Sequence, residues 1–306
     1  MVILNVLGPV LILLGVGAGL ARLRFLGPGF LHELNRLAFF VALPCLVFRS
    51  AVHAGVPRRD TLLLAGLVVS CTLAIAGLAA LVARRLRMAE PSERTFVAAA
   101  LFGNAAYIGI PVAAHSLGPH ATGDSPRLLS GAVVLMTLLV VACNALSAAI
   151  FSASGSSPAG ILRRVLRNPL VIAGGLGIAL GSAGMALPEV LDRPLRSLGE
   201  VAVPAALLCI GGSLALTRLT GHWLPISAAV ALKILALPIL VLVVGLALGF
   251  PMDALRFPLI FAACPMATAV YNMASELGGD EALAAGAAAI GTLAAFVPLA
   301  IIIAIT

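Results

Sequence analysis

Residues 96–118 read FVAAALFGNAAYIGIPVAAHSLG. The run has the length and apolar character of a membrane crossing, yet it is interrupted at Gly103-Asn104 and again at Gly109-Ile110-Pro111. Proline removes a backbone donor and clashes with the turn before it, and glycine lets the chain leave helical angles. A second segment of this kind, residues 257–279, reads FPLIFAACPMATAVYNMASELGG, with Pro265 near its middle. Backbone unwound inside a bilayer is tolerated only where it is buried in protein or lines a wet cavity. Half-helix N-termini carry partial positive charge and attract anions. Two such breaks crossing near the membrane midplane would make a site for a small carboxylate. Asn104 and Asn272 would donate to it, with Tyr107, Thr268 and Tyr271 nearby and Pro111 and Pro265 fixing the breaks. The plainer reading is that the prolines only kink the two helices.

The rest of the chain is of the same character. Its 306 residues are 61% hydrophobic and 10% charged, against roughly 25% charged in a soluble domain, and its mean hydropathy is +1.15. So few polar side chains could not cover a soluble core, which excludes a water-soluble enzyme. Apolar runs lie near 2–20, 31–51, 61–83, 94–117, 127–151, 168–184, 194–217, 223–249, 255–277 and 282–305. Each is far longer than a strand, and an open sheet edge cannot exist in lipid. The expected fold class is therefore all-α, a multi-pass membrane protein of ten transmembrane helices. At about 20 residues per span, no second soluble domain fits. The N-terminal run lacks a basic flank and is expected to be the first span, not a cleaved signal.

The formal charge of +7 does not indicate nucleic acid, because no basic stripe is interleaved with aromatics. The cations sit mostly in the short gaps between apolar runs, where cytoplasmic loops carry them. Arg22, Arg24, Arg84, Arg85, Arg87, Arg94, Arg163, Arg164, Arg167 and Arg218 fall on one side. Arg58, Arg59, Arg127, Arg193, Arg196 and Arg256 fall on the other. The imbalance puts both termini outside the cytoplasm, in a cell (plasma or inner) membrane. Cys45, Cys71, Cys143, Cys209 and Cys264 all lie within apolar runs and read as small hydrophobes, neither a disulfide framework nor a metal site.

The two halves match each other. A shift of 160 carries Pro9-Val10-Leu11-Ile12-Leu13-Leu14-Gly15-Val16-Gly17 onto Pro169-Leu170-Val171-Ile172-Ala173-Gly174-Gly175-Leu176-Gly177, and Val41-Ala42-Leu43-Pro44 onto Val201-Ala202-Val203-Pro204. A shift of 161 pairs Phe96 with Phe257, Ala106 with Ala267, Ala113 with Ala274 and Gly118 with Gly279. It also sets Asn104 on Pro265 and Pro111 on Asn272. The expected organisation is a first five-helix repeat over 1–151, a cytoplasmic linker over 152–167 and a second repeat over 168–306. An odd number of spans per repeat makes the second enter the membrane from the opposite side. Inverted repeats are the architecture of secondary transporters, with the substrate site where the repeats meet.

The stretch Asn104-Ala105-Ala106-Tyr107-Ile108-Gly109-Ile110-Pro111 has the form N-x-x-x-x-G-x-P and resembles the crossover motif of the auxin efflux carrier family. That family includes the plant PIN exporters and bacterial carriers such as malonate transporters. Pro265 through Ala274 to Glu276 resembles its second crossover, and Leu43-Pro44 and Arg59-Asp60-Thr61-Leu62 resemble further family positions. Bile acid–sodium symporters share the same ten-helix plan. The resemblance implies a scaffold of helices 1, 2, 6 and 7 that forms a homodimer. It implies a transport unit of helices 3–5 and 8–10 with crossed helices 4 and 9. It further implies that Asn104 contacts the substrate carboxylate and that Asp60 belongs to a polar support site. Val270 stands where plant carriers have a second proline, and no long hydrophilic loop separates helices five and six. A small bacterial-type carrier of an organic acid, malonate-like rather than auxin, fits this pattern better.

Ionisable residues at membrane depth are costly and mark candidate sites. Lys233, the only lysine, either balances a carboxylate such as Glu276 or Asp60 and attracts an anion, or snorkels or pairs with a carbonyl. Glu200 is a proton or cation site or a structural pair. Glu276 follows Asn272 by four, on one helix face, and either faces the cavity or caps its segment. Arg49 ends the second segment and is expected to snorkel to the interface. Trp223 is expected to anchor at the interface. His115, His120 and Asp124 share a loop without readable metal-site partners. Gly174-Gly175-Leu176-Gly177 follows no strand and reads as a helix-packing surface.

These readings point to alternating-access transport of a small organic anion, with no cofactor beyond a coupling proton or sodium. The rivals are a sodium-coupled bile-acid-type symporter, a channel and an intramembrane enzyme. The last would need a catalytic pair at membrane depth, and none is found.

Overall fold

A computed structural model of the chain describes residues 2–54, 59–110, 112–113, 125–152, 160, 163, 166–216, 223–267, 270–271, 273–274 and 278–306. These residues are helical with short connections, and no strand occurs among them. The helices are α1 (Val2–Arg22), α2 (Pro28–Leu37), α3 (Leu43–Ala54), α4 (Arg59–Arg85), α5 (Glu90–Leu101), α6 (Ser125–Ser152), α7 (Pro169–Ser182), α8 (Glu189–Leu216), α9 (Trp223–Ala231), α10 (Leu237–Ala247), α11 (Met252–Ala263), α12 (Glu281–Ala294) and α13 (Phe296–Ile305). Among the described residues, the continuous helical stretches Pro28–His53, Arg59–Arg85, Glu189–Leu216, Trp223–Ala247 and Glu281–Ile305 are long and apolar enough to cross a bilayer. Gly8–Arg22 and Pro169–Ser182 are shorter apolar helices. Most of the expected linker 152–167, and the His115, His120 and Asp124 group, lie outside the described residues.

Prolines shape these helices. A π-helical turn, Ala38–Ala42, joins α2 to α3, and another, Leu232–Ala236, joins α9 to α10. A third spans Ala105–Gly109. Each ends two residues before a proline in the sequence: Pro44, Pro238 and Pro111. Proline has no N–H to give the carbonyl four residues back, and its ring crowds that carbonyl. The helix answers by widening one turn. Leu43 N–H donates to Ala38 O and Leu237 N–H to Leu232 O, the five-residue reach of a π turn.

The chain divides into two compact units. The first comprises Met1–Leu62, Ala106–Val140 and Leu166–Thr217; the second comprises Leu63–Ala105, Val141–Val165 and Arg218–Thr306. In the first, α1 lies along α8, and α3 lies along α7 and also against α8. Small residues let these backbones approach closely, as packing between membrane helices requires. A Cβ on Gly177 would sit 2.6 Å from the Phe48 carbonyl oxygen and 2.7 Å from Ala51 Cβ. One on Gly17 would run into the backbone of Leu208. Gly17 maps to Gly177, and Phe48 to Leu208, by the same shift of 160 that aligns the halves, so the two packing contacts are copies of each other. Arg49 is held by Asp192 through two hydrogen bonds of 2.7 and 3.0 Å. It therefore ties α3 to α8, where sequence alone suggested a lone snorkelling cation.

In the second unit α11 packs on α10 and α13, while α5, α9 and α12 pack on one another. One end of this group is pinned by Asp280. Its side chain caps α12 by accepting from Leu283 N–H at 2.9 Å, and it also accepts from Ser92 Oγ at 2.7 Å. Its own N–H donates to Thr95 Oγ1 at 2.9 Å. Trp223, expected at the interface, starts α9 and is exposed.

Candidate functional site

The two interrupted segments meet inside the second unit. Helix α5 stops at Leu101 and α11 at Ala263, and the capping residues Phe102 and Cys264 leave helical angles, with ψ of 106° and 140°. Beyond them the two strands of backbone cross as an antiparallel bridge between Gly103 and Met266. Asn104 N–H donates to Pro265 O at 2.7 Å, and Ala267 N–H donates to Phe102 O at 2.8 Å. Each break thus supplies the partner that the other lost, which answers the demand of unwound backbone in an apolar setting. The helix ends lie 162 residues apart, one more than the shift that aligned these segments by sequence. The swap of Asn104 with Pro265 is therefore approximate in register.

The remaining carbonyls are the negative ends of two half-helices. Cys264 Sγ donates to Ile260 O at 3.2 Å. Lys233 Nζ donates to Ala262 O at 2.6 Å. Lys233 is only 2% exposed. It lies in the π turn of the Trp223–Ala247 span, ten residues or about 15 Å along that helix, half the thickness of a hydrocarbon core. Its side chain runs against Gly103. A Cβ there would sit 2.9 Å from Lys233 Cε and 3.0 Å from Nζ, so Gly103 makes the room in which the ammonium reaches its carbonyl. Among the described residues no carboxylate lies within ion-pair distance of Nζ.

The sequence-derived candidates fall into three groups. Asn104, 5% exposed, Pro265 and Lys233 are brought together at the crossing, all three buried. Tyr271 is exposed, and Asp60 is exposed in the first turn of α4. Glu200 is exposed on α8 and pairs with Arg196 at 2.9 Å, the structural of its two readings. Pro111, Thr268, Asn272 and Glu276 lie outside the described residues, as does the side chain of Tyr107. Two features escaped sequence reasoning. One is the service of Gly103 to Lys233, which nothing in their distant positions signals. The other is Ser147 in α6, whose buried hydroxyl has no hydrogen-bond partner, a rarity among buried polar groups. No cluster of metal-ligating side chains occurs among the described residues. An open cleft lined by Arg87, Ser92, Trp223 and Asp280 shares no residue with the crossing.

Comparison with known proteins agrees with this geometry. The family described as membrane transport protein matches residues 2–158 and 158–303. A protein of Rhizobium meliloti (strain 1021) named "Putative malonate transporter" is 28% identical over 85% of this chain and 82% of its own length. A Methanothermobacter thermautotrophicus protein named "Uncharacterized transporter" is 25% identical over 95% of this chain and 94% of its own. With matches running almost from end to end, the chain belongs to the membrane transport protein family, the family of the auxin efflux carriers whose crossover motif it carries.

Proposed function

We propose that the chain is a secondary carrier that moves a small organic anion, such as a malonate-like carboxylate, by alternating access. Ten spans form a five-plus-five inverted repeat, and segments three to five and eight to ten move against a scaffold of segments one, two, six and seven. The observation that carries this reading is the hydrogen-bonded crossing of two broken helices at Gly103 and Met266, the construction that secondary transporters use for a midplane site. The copied contacts Gly17–Leu208 and Gly177–Phe48 support the internal repeat. The division of the chain, with α1–α3, α7 and α8 in one unit and α5, α9–α13 and most of α4 in the other, supports separate scaffold and transport parts. The name of the Rhizobium relative favours a dicarboxylate.

In this carrier Asn104 donates to the substrate carboxylate, with Tyr107, Thr268, Tyr271 and Asn272 around it and Asp60 in a support site. The scaffold segments pair two copies as a homodimer, and both termini lie outside the cytoplasm. The test is a thermal-shift screen of mono- and dicarboxylates on the purified protein and on Asn104→Ala. The best ligand should stabilise the wild type, and most of that shift should vanish in the variant. Equal stabilisation of both proteins would remove Asn104 from the site.

A further inference from the structure

We propose that the Lys233 ammonium is the resident cation of the crossing, seated on the half-helix carbonyl end where an alkali coupling ion would otherwise bind, so that the site operates without sodium. In secondary transporters, unwound carbonyls and half-helix C-terminal ends are the groups that coordinate sodium. Here α5 and α11 both end at the crossing. Each C-terminus carries about half a negative charge, so together they amount to about one, which a single ammonium neutralises. Lys233 Nζ is bonded to the carbonyl of Ala262 in the last turn of α11. The other carbonyls that a cation could use are already engaged: Ile260 by the Cys264 thiol, and Phe102 and Pro265 by the bridge. Phe261 O faces Gly103, 3.4 Å from where a Cβ would stand, in the space that Lys233 fills. A lysine ammonium and an alkali ion make the same demand on such oxygens. The lysine differs in being tethered, so it cannot be exchanged with the bath.

The cation site stands on geometry alone, while its consequence for transport rests on the carrier reading above. The test is the melting temperature of the purified full chain in sodium chloride and in choline chloride at equal ionic strength. The wild type should melt at the same temperature in both. Lys233→Ala should melt lower in choline, and sodium or ethylammonium should raise it saturably, on the order of 2–4 °C, as a ligand of the folded state does. Lys233→Arg, which keeps the charge, should be indifferent to sodium like the wild type. Saturable stabilisation of the wild type by sodium would overturn the proposal, and so would a folded Lys233→Ala that ignores both cations. If Lys233→Ala does not fold, Lys233→Met is read in the same way. Should these results hold while no carboxylate binds at Asn104, the carrier reading alone fails.

Discussion

Gly103 and Lys233 lie 130 residues apart, and each makes sense only through the other. A buried cation at mid-bilayer depth costs several kcal/mol unless charge and hydrogen bonding answer it. The Ala262 carbonyl answers it, and the missing side chain of Gly103 gives it access. Gly103→Ala should therefore push Lys233 off its carbonyl and cost about 1–3 kcal/mol, as overpacking does, read as a lower unfolding midpoint in detergent. In a Lys233→Ala background the same substitution should cost little, because coupled neighbours are non-additive. Equal costs in both backgrounds would mean that the glycine serves something else. The ionisable residue was legible in the sequence, since one lysine inside an apolar run stands out. Its partner was not, because carbonyls have no sequence signature.

At the scale of elements, glycine position separates contacts from lipid-facing surface. Gly17 and Gly177 meet backbone of a neighbouring helix, whereas a Cβ on Gly15 or Gly175 would meet nothing within 4 Å. Gly17→Leu and Gly177→Leu should each pry a helix pair apart and lower stability by about 1–3 kcal/mol or more, with Gly15→Leu and Gly175→Leu near neutral. Thermal unfolding of the four variants checks this, and a flat series would show that the close approaches contribute nothing. The run Gly174-Gly175-Leu176-Gly177 was legible as a packing surface, although sequence could not say which glycine packs. The three π turns have a legible cause in Pro44, Pro111 and Pro238. The turns themselves were not foreseen, because a proline in a helix can equally kink or end it. The breaks at 102–104 and 264–267 were legible from Gly103 and Pro265. Their mutual hydrogen bonding was not, since it pairs backbone groups that every residue has.

For the whole molecule, composition alone excluded a soluble enzyme, and the match between halves pointed to a repeat. The helix limits follow the apolar runs closely: α4 covers Arg59–Arg85 against an expected 61–83, and α7 covers Pro169–Ser182 against 168–184. The candidate site was legible in part. Asn104, Pro265 and Lys233 converge, while Glu200 turns to Arg196 on an exposed helix face. An isolated acid in an apolar run reads the same whether its partner is a substrate ion or an arginine one turn away. The account as a whole holds that the crossing binds an organic anion and releases it alternately to either side. The most direct measurement is counterflow of labelled malonate in proteoliposomes, with unlabelled carboxylates as trans substrates. The account predicts saturable exchange in sodium-free buffer that Asn104→Ala abolishes. Linear flux without exchange, or full exchange in the variant, would contradict it.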